Sequence, residues 1–189
     1  MLIFAPRRVN MSITVIIVNW NSGTFLAECL HRLNRQTLQP TRVLVVDNHS
    51  SDHSLNCIGQ YADHVTVLPM ESNLGFAAGN NYALSRCDTE FVALLNPDVL
   101  PADDWLECLL GAARRHPEFS AFGSRQCCQN DPDVLDGIGD IYHVSGLAWR
   151  NRYGFRQQKQ DLTSRERFSP CAAAALYRRQ DFIDAGGFD

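Results

Sequence analysis

The stretch Phe91-Val92-Ala93-Leu94-Leu95-Asn96-Pro97-Asp98 decides the fold, because an unbroken apolar run stops there at a carboxylate. A short apolar run bounded by a turn predicts a strand that is buried on both faces, as in the centre of a parallel sheet. Such sheets bind ligands at the carboxyl ends of their strands, where Asp98 would lie. One carboxylate there can hold one side of a Mg²⁺ or Mn²⁺ ion. Asn96, Pro97 and Asp98 also favour a plain turn, so the stretch alone leaves both interpretations open.

Apolar strands and helices alternate through the first two thirds of the chain. The other predicted strands are Ile13–Val18, Val43–Val46 and Val65–Leu68. The predicted helices run through Leu26–Leu33, through Ser54–Tyr61, after Asn73, and from Pro101 to about Arg115. This alternation predicts an α/β fold, with a mostly parallel central sheet flanked by helices.

The last third is less regular. Residues 126–168 are polar and predict long loops, with a hairpin around Ile141–Trp149. The small residues of Cys171–Tyr177 suit a strand or a helix, and the pattern leaves that choice open. A helix is predicted over Arg178–Ala185, ending at Gly186-Gly187.

Composition limits the class of protein and its partners. With 189 residues and 45% apolar content the chain is long enough for one globular domain. The net charge of −4 argues against a nucleic acid polymer as partner. Basic and aromatic residues interleave between Trp149 and Arg167, which suits either a solvated loop or a surface for anionic lipid head groups. Seven cysteines without a C-x-x-C pair indicate reduced thiols and a cytoplasmic location. No apolar run approaches the length of a membrane span, and we expect no signal peptide.

Polar side chains follow all four predicted strands of the first two thirds. The clusters are Asn19–Ser22, Asp47–Asp52, Glu71–Asn73 and Asn96–Asp98. In an open parallel sheet they would face one crevice, which is the usual site for a nucleotide. Asp47 could accept hydrogen bonds from a base or a ribose, although Asp and Ser at such positions also cap helices.

The glycine-rich segment after Asn73 has two open interpretations. Gly75 and Gly79 would let a phosphate approach the start of a helix, or they would let the helix pack tightly. The segment lacks the Lys-Ser/Thr pair of a P-loop, and no G-x-G-x-x-G follows the first strand. These absences count against an ATPase and against a dinucleotide-dependent oxidoreductase.

Taken together and in order, five segments resemble those of the inverting family 2 glycosyltransferases with a GT-A (Rossmann-like) fold, in particular the rhamnosyltransferase-like branch. The segments are Val15–Asn21, Asp47–Asp52, Asn73–Asn81, Asn96–Asp98 and Gly186–Asp189. The resemblance implies a nucleotide-diphosphate-sugar donor, dTDP- or UDP-linked, and a glycan or lipid-linked acceptor in polysaccharide biosynthesis. It also implies an enzyme that acts at the cytosolic side of the membrane and associates peripherally with the inner face.

The resemblance also assigns roles to residues. Asp47 would bind the base, and Asp98 would be the last acid of the family's metal-binding D-x-D, with Asn96 in place of the first acid. Mg²⁺ or Mn²⁺ is the implied cofactor. The residues expected to bind the nucleotide are Asn19, Asn21, Asp47, Ser50, Asn73, Gly75, Asn80 and Asn96. His49 and His53 are expected to be surface residues.

The resemblance further predicts how the chain is divided. Residues 1–12 would be an N-terminal extension, 13–125 the nucleotide-sugar-binding half, and 126–189 a partial acceptor-side region. The family's general base is expected beyond Asp189, so we hypothesise that this chain binds nucleotide-sugar but transfers sugar poorly. A catalytically impaired nucleotide-sugar-binding module is the alternative. A nucleotidyltransferase with a similar sheet is a further rival, but its glycine-rich basic loop after the first strand is absent.

Overall fold

A computed structural model describes residues 12–61 and 63–189, so nearly all of the predicted extension 1–12 lies outside the described residues. The strands are β1 (Ile13–Asn19), β2 (Arg42–Asp47), β3 (Val65–Pro69), β4 (Phe91–Leu95), β5 (Ala121–Gly123), β6 (Gln126–Cys128), β7 (Asp131–Gly137), β8 (Asp140–Tyr142), β9 (Ala148–Arg150) and β10 (Ala174–Arg178). The α-helices are α1 (Phe25–Asn34), α2 (Gly75–Leu84), α3 (Trp105–Arg115) and α4 (Arg179–Asp184). Short 3₁₀ helices cover Ser54–Gln60 and Lys159–Leu162.

Six strands form the central sheet, in the order β3-β2-β1-β4-β10-β5. Strands β3, β2, β1 and β4 are parallel, whereas β10 runs antiparallel to both β4 and β5. The predicted α/β class with a mostly parallel sheet is therefore confirmed. Strand β10 and helix α4 come from the last third of the chain, yet they are built into this sheet and its cover.

The sheet is buried on both faces because successive residues of its strands pack alternately into two apolar clusters. In β4, Phe91, Ala93 and Leu95 pack into one cluster, together with side chains from α1 and α3. Val92 and Leu94 point to the other face, where α2 and α4 cover them. All five residues of β4 are buried, which confirms the central strand predicted from its sequence.

The predicted start of α3 at Pro101 is wrong, since the helix begins at Trp105. Gln36 supplies the reason: its side-chain Nε2 donates to the Ala102 carbonyl at 2.7 Å, and its Oε1 accepts from the Leu106 N–H at 3.0 Å. The carbonyl of Asp103 accepts a further hydrogen bond from the Thr37 N–H. These contacts with the α1 end hold the segment before α3 out of the helix, and Gln36 takes the place of a local cap.

Two small antiparallel pairs, β6–β7 and β8–β9, lie outside the central sheet. The second pair confirms the predicted hairpin around Ile141–Trp149. An ion pair between Arg152 and Asp161 at 3.1 Å joins this region to the second 3₁₀ helix, and Asp161 is buried. The undecided segment before α4 is strand β10. Within residues 12–61 and 63–189, no helix has both the length and the apolar character to cross a membrane.

Candidate functional site

The carboxyl ends of β1 and β2 lie side by side, because Asn19 is paired with Asp47 in the parallel register. The next pair along the sheet edge is Asp47 with Pro69 at the end of β3. The turn after β4 begins on the other side of β1. The four polar clusters predicted from the sequence therefore meet at one edge of the sheet.

Asn19 is the centre of the first hydrogen-bond network. Its buried side-chain Nδ2 lies 3.0 Å from Ser54 Oγ, 3.1 Å from Ser50 Oγ and 3.4 Å from Asp47 Oδ1. Its Oδ1 accepts from the Ser22 hydroxyl. Since every polar atom of this amide has a protein partner, Asn19 is placed to hold the two loops in position.

Asn21 joins the loop after β1 to the loop after β2. Its Oδ1 accepts from the Ser51 N–H at 2.8 Å, and its own N–H donates to Ser50 Oγ at 3.1 Å. The backbone of Asn21 has a φ of 48°, a left-handed conformation that Asn adopts more readily than most residues. Asn21 and Ser50 thus shape one continuous polar surface.

Asp52 provides a second connection between the same two loops. One of its oxygens accepts from the Ser54 hydroxyl at 2.6 Å, and the other accepts from the Gly23 N–H at 2.8 Å. The hydroxyl of Ser54 and the N–H of Gly23 lower the pKa of the Asp52 carboxyl from its usual value, because they stabilise its charged form. This second tie was not predicted.

Asp47 is mostly buried at the end of β2. Its Oδ1 accepts from the Ser50 N–H at 3.3 Å and from Asn19. Among the described residues Oδ2 accepts no hydrogen bond, so half of the carboxylate remains for a ligand. The cap interpretation and the binding interpretation are thus compatible, since they use different oxygens.

A second network joins β2 to the glycine-rich segment through Asn48, whose role the sequence did not reveal. Its Nδ2 donates to Asn73 Oδ1 at 2.8 Å, and its Oδ1 accepts from the Leu74 N–H at 2.9 Å. Asn73 Oδ1 also accepts from the Gly75 N–H. Leu74 gives α2 no side-chain cap, which leaves N–H groups of its first turn for an anion.

The two glycines of this segment serve different purposes. Gly75 has a φ of 82° and open space around it, so it permits the turn into α2. A Cβ on Gly79 would lie 3.0 Å from a methyl group of Val18, so Gly79 allows α2 to pack closely on β1. Asn80 is buried in α2 and donates to the Phe76 carbonyl at 2.8 Å. The structure thus brings Asn73 and Gly75 to the edge, with Asn80 one turn further into the helix.

Asn96 and Asp98 lie in a turn that the Val99 N–H closes on the Asn96 carbonyl at 3.1 Å. The turn interpretation is confirmed, and it leaves Asp98 exposed at the end of β4. Below the turn, the Cys29 thiol lies 3.8 Å from the Asn96 carbonyl. Burial, with a smaller effect of the Asp98 charge, raises the pKa of Cys29 to about 12, so this thiol stays protonated.

A metal ion fits this edge only as a shared site. In the part of the chain that the structure describes, no three His, Cys, Asp or Glu side chains gather where they could hold a metal. Asp98 makes no hydrogen bond or ion pair with a described residue. One free carboxylate is a suitable ligand for Mg²⁺ or Mn²⁺ if a bound diphosphate supplies further oxygens. His49 and His53 are exposed, as predicted.

Sequence reasoning also missed a link between α2 and the last described residues. Asn81 donates to the Phe188 carbonyl at 2.7 Å, and its Oδ1 accepts from the Phe188 N–H at 3.0 Å. A Cβ on Gly187 would lie 2.5 Å from Asn81 Oδ1, so a larger residue there would displace the Asn81 amide. The Phe188 ring packs against Phe76 in the first turn of α2. The adjacent Gly186 and Gly187 were the signal available in the sequence for this link, although they do not identify Asn81 as the partner.

The fold and the polar edge together define an α/β domain with one site at the carboxyl ends of its parallel strands, and comparison with known proteins gives its family. A profile of "Glycosyl transferase family 2" matches residues 14–186. The chain belongs to this family, as its sequence motifs predicted.

Two curated relatives come from Mycobacterium tuberculosis. An N-acetylglucosaminyl-diphospho-decaprenol L-rhamnosyltransferase is 28% identical over 199 residues, covering 93% of this chain and 64% of the relative. A pre-mycofactocin glycosyltransferase is 37% identical over 179 residues, covering 94% of this chain and 35% of the relative. The chain thus spans less than two thirds of the length of these relatives.

Solved structures show the same GT-A fold. A mannosyltransferase from Pyrobaculum calidifontis, in complex with GDP-Man and Mn²⁺, has a TM-score of 0.65 at 21% identity, covering 94% of this chain and 47% of that one. Residues 1–349 of S. aureus TarS, in complex with UDP-GlcNAc, have a TM-score of 0.66 at 20% identity, covering 94% and 48%. At these identities the likeness establishes the fold.

Proposed function

We propose that this chain forms the donor-binding part of an inverting glycosyltransferase that passes a sugar from a dTDP- or UDP-sugar to a glycan or lipid-linked acceptor in polysaccharide biosynthesis. The observation that carries the proposal is the pair of networks centred on Asn19 and Asn48, which gather three strand-end loops beside the turn of Asp98. Rhamnose is the proposed sugar, because one relative is named as a rhamnosyltransferase.

Each residue at the edge has a proposed part. The available Oδ2 of Asp47 accepts hydrogen bonds from the base or the ribose, and Asn21 and Ser50 form the adjoining surface. The first turn of α2, held by Asn73 and Gly75, faces the diphosphate, because N–H groups and the helix dipole favour negative charge. Asn19, Asn80 and Asn96 keep these elements in place.

Transfer requires the acceptor hydroxyl to lose a proton as its oxygen attacks the anomeric carbon, while the bond from that carbon to the diphosphate breaks. Asp98 is the residue that would hold Mg²⁺ or Mn²⁺, which when bound offsets the charge on the leaving diphosphate. The general base is proposed to follow the Gly-Gly-Phe-Asp segment. The link between Asn81 and Phe188 would then set the path of the chain toward it.

Calorimetric titration with UDP and with dTDP, each with Mn²⁺ and with chelator, tests the donor site. We expect Asp98→Ala to abolish the metal-dependent part of binding and Asp47→Ala to weaken binding with or without metal. Asp63→Ala, at an exposed position in the turn before β3, is the matched control. Unchanged metal-dependent affinity in Asp98→Ala would remove Asp98 from the site, and no binding of either nucleotide by the parent chain would contradict the donor-site proposal.

Product analysis separates the alternatives. Release of nucleoside diphosphate from the donor indicates a transferase or a hydrolase, and release of pyrophosphate indicates a nucleotidyltransferase. Nucleotide binding without any product favours the catalytically impaired binding module. We propose a cytoplasmic location at the inner face of the membrane, and the surface that would serve it is described next.

A further inference from the structure

Exposed apolar side chains are concentrated in one part of the molecule. Thirteen large apolar side chains are exposed among the described residues, and eight of them lie between residues 142 and 168. They are Tyr142, Val144, Leu147, Trp149, Tyr153, Phe155, Leu162 and Phe168, and we call them the docking face. Exposed apolar groups gathered in this way mark an interaction surface more often than scattered ones do.

Contacts show that much of this face is continuous. The rings of Tyr142 and Phe168 stack at 5.4 Å. Those two rings and Trp149 line one concavity, and Trp149 also lines a second with Tyr153 and Phe155. Trp149 therefore connects the two halves of the face.

The tip of the β8–β9 hairpin carries the most exposed large apolar side chain among the described residues. Val144 is 95% exposed and Leu147 is 66% exposed, and all three residues of β9 are exposed. A two-stranded hairpin gains little stability from such side chains in water. Nothing in the packing of the described residues explains why they are apolar.

The charge of this region differs from that of the whole chain. Residues 141–168 contain six Arg or Lys and two acidic residues, whereas the chain has 17 basic and 21 acidic residues. Arg150, Arg152 and Arg156 are paired with aspartates. Lys159 and Arg165 are exposed and form no ion pair with any residue in the described ranges.

The free positive charge borders the apolar rings. Arg165 and Arg167 line a cleft of about 350 Å³, together with Glu166, the exposed Leu162 and the half-buried Ser169. Ser169 lies in the concavity of Tyr142 and Phe168 as well, so cleft and face adjoin. Trp and Tyr rings suit the boundary of a bilayer, and neighbouring Lys and Arg are attracted to anionic lipids.

We infer that the docking face binds the surface of an anionic lipid bilayer, with the β8–β9 hairpin tip entering the head-group region. Complementary charge favours this occupant over a second copy bound through the same face, because that pairing would bring like charges together. Vesicle binding needs no nucleotide, so this inference and the proposed function are tested separately.

Flotation with vesicles provides the first test. The chain should bind phosphatidylcholine vesicles containing roughly one-third phosphatidylglycerol, bind pure phosphatidylcholine weakly, and lose affinity as salt is added. Replacing two charges, Lys159→Gln with Arg165→Gln, should weaken binding about thirtyfold, at about 1 kcal/mol per charge. Arg86→Gln, an exposed arginine at the end of α2, is the control and should bind like the parent chain.

The hairpin tip is tested in the same way. Val144→Ser with Leu147→Ser should weaken binding by about tenfold or more, since both side chains leave water on insertion. Both positions are exposed, so the fold should persist. Ile183→Ser, on α4, is the matched control and should change nothing.

Tryptophan fluorescence gives an independent measurement. Trp149 and Trp20 are similarly exposed, at 48% and 56%, whereas Trp105 is buried. Vesicles should shift the emission of the parent chain and of Trp20→Phe to shorter wavelength, but not that of Trp149→Phe. Three results would overturn the inference: no binding to anionic vesicles at low salt, a shift that survives in Trp149→Phe, or a self-association that the hairpin-tip variant abolishes in place of vesicle binding.

Discussion

Single residues have structural roles that their residue types alone do not reveal. The two glycines that follow α4 show this. Gly186 has a φ of 92° and takes the left-handed position of a helix end, where the Gly187 N–H bonds the Phe182 carbonyl and the Gly186 N–H bonds the Ile183 carbonyl. Gly187 has a φ of 77° and also makes room for the amide of Asn81. Adjacent identical residues therefore have different reasons to be glycine.

We predict that Gly187→Ala is more damaging than Gly186→Ala. Each variant meets the left-handed penalty of about 1 to 2 kcal/mol. The added methyl group at Gly187 would also displace Asn81 from Phe188, costing about 1 to 3 kcal/mol more. Gly186 has open space and serves as the control. Urea unfolding of both variants measures the difference, and equal losses would contradict the prediction.

Asp52 gives the edge a pH dependence with a definite sign. Because hydrogen bonds from Ser54 and Gly23 lower its pKa in the folded state, the unfolded chain takes up the proton first as the pH falls. The contribution of Asp52 to folding stability is therefore fully present above about pH 4 and is lost as the pH drops below that value. Thermal melts between pH 3 and 7 should show a smaller acid loss for Asp52→Asn than for the parent. Asp63→Asn, at an exposed position, is the control and should follow the parent.

At the scale of elements, the sequence predicted those features that depend on residues close together in the chain. Strand β4 was predictable because five apolar residues in a row favour a strand buried on both faces, which the structure confirms. The role of Asn19 was not predictable, since the partners of its Nδ2 lie 28 to 35 positions away in the sequence. The start of α3 was mispredicted for the same reason, because a proline and two aspartates favour a helix start locally while Gln36 determines it from another element.

We predict that Gln36→Leu lowers the free energy of unfolding by about 1 to 3 kcal/mol, because the backbone N–H of the buried Leu106 loses its partner. The Gln36 side chain is 4% exposed, so water cannot replace it easily. Gln39→Leu removes an amide that also bonds two carbonyls but lies at an exposed position. That control should change stability by less than about 0.5 kcal/mol. Chemical unfolding of the two variants distinguishes a buried cap from a general effect of losing an amide.

At the scale of the whole molecule, the central sheet and the region of β6 to β9 differ in how they are held. The sheet has two apolar clusters. Leu135 of β7 is fully buried but belongs to neither cluster. The predicted boundary between residues 125 and 126 stays a prediction, while β10 shows that the later segment contributes directly to the sheet.

We predict that two matched substitutions destabilise different parts of the molecule. Leu176→Ala, at a fully buried position in β10, should lower global stability by about 2 to 5 kcal/mol. Leu135→Ala removes the same atoms at an equally buried position, but should chiefly speed amide exchange between residues 126 and 157. Hydrogen exchange resolved by segment measures both, and faster exchange throughout the sheet in Leu135→Ala would show that the two regions open together.

The antiparallel strand β10 has a consequence for synthesis on the ribosome. Strand β5 joins the sheet through β10, which follows about fifty residues later in the chain. At roughly 5 to 20 residues per second, that interval lasts about 3 to 10 s. During it the four parallel strands are already made, and the backbone groups along the outer side of β4 have no partner. The nascent chain thus exposes an unpaired strand edge beside the polar carboxyl edge of the sheet, and a chaperone could bind it during that interval.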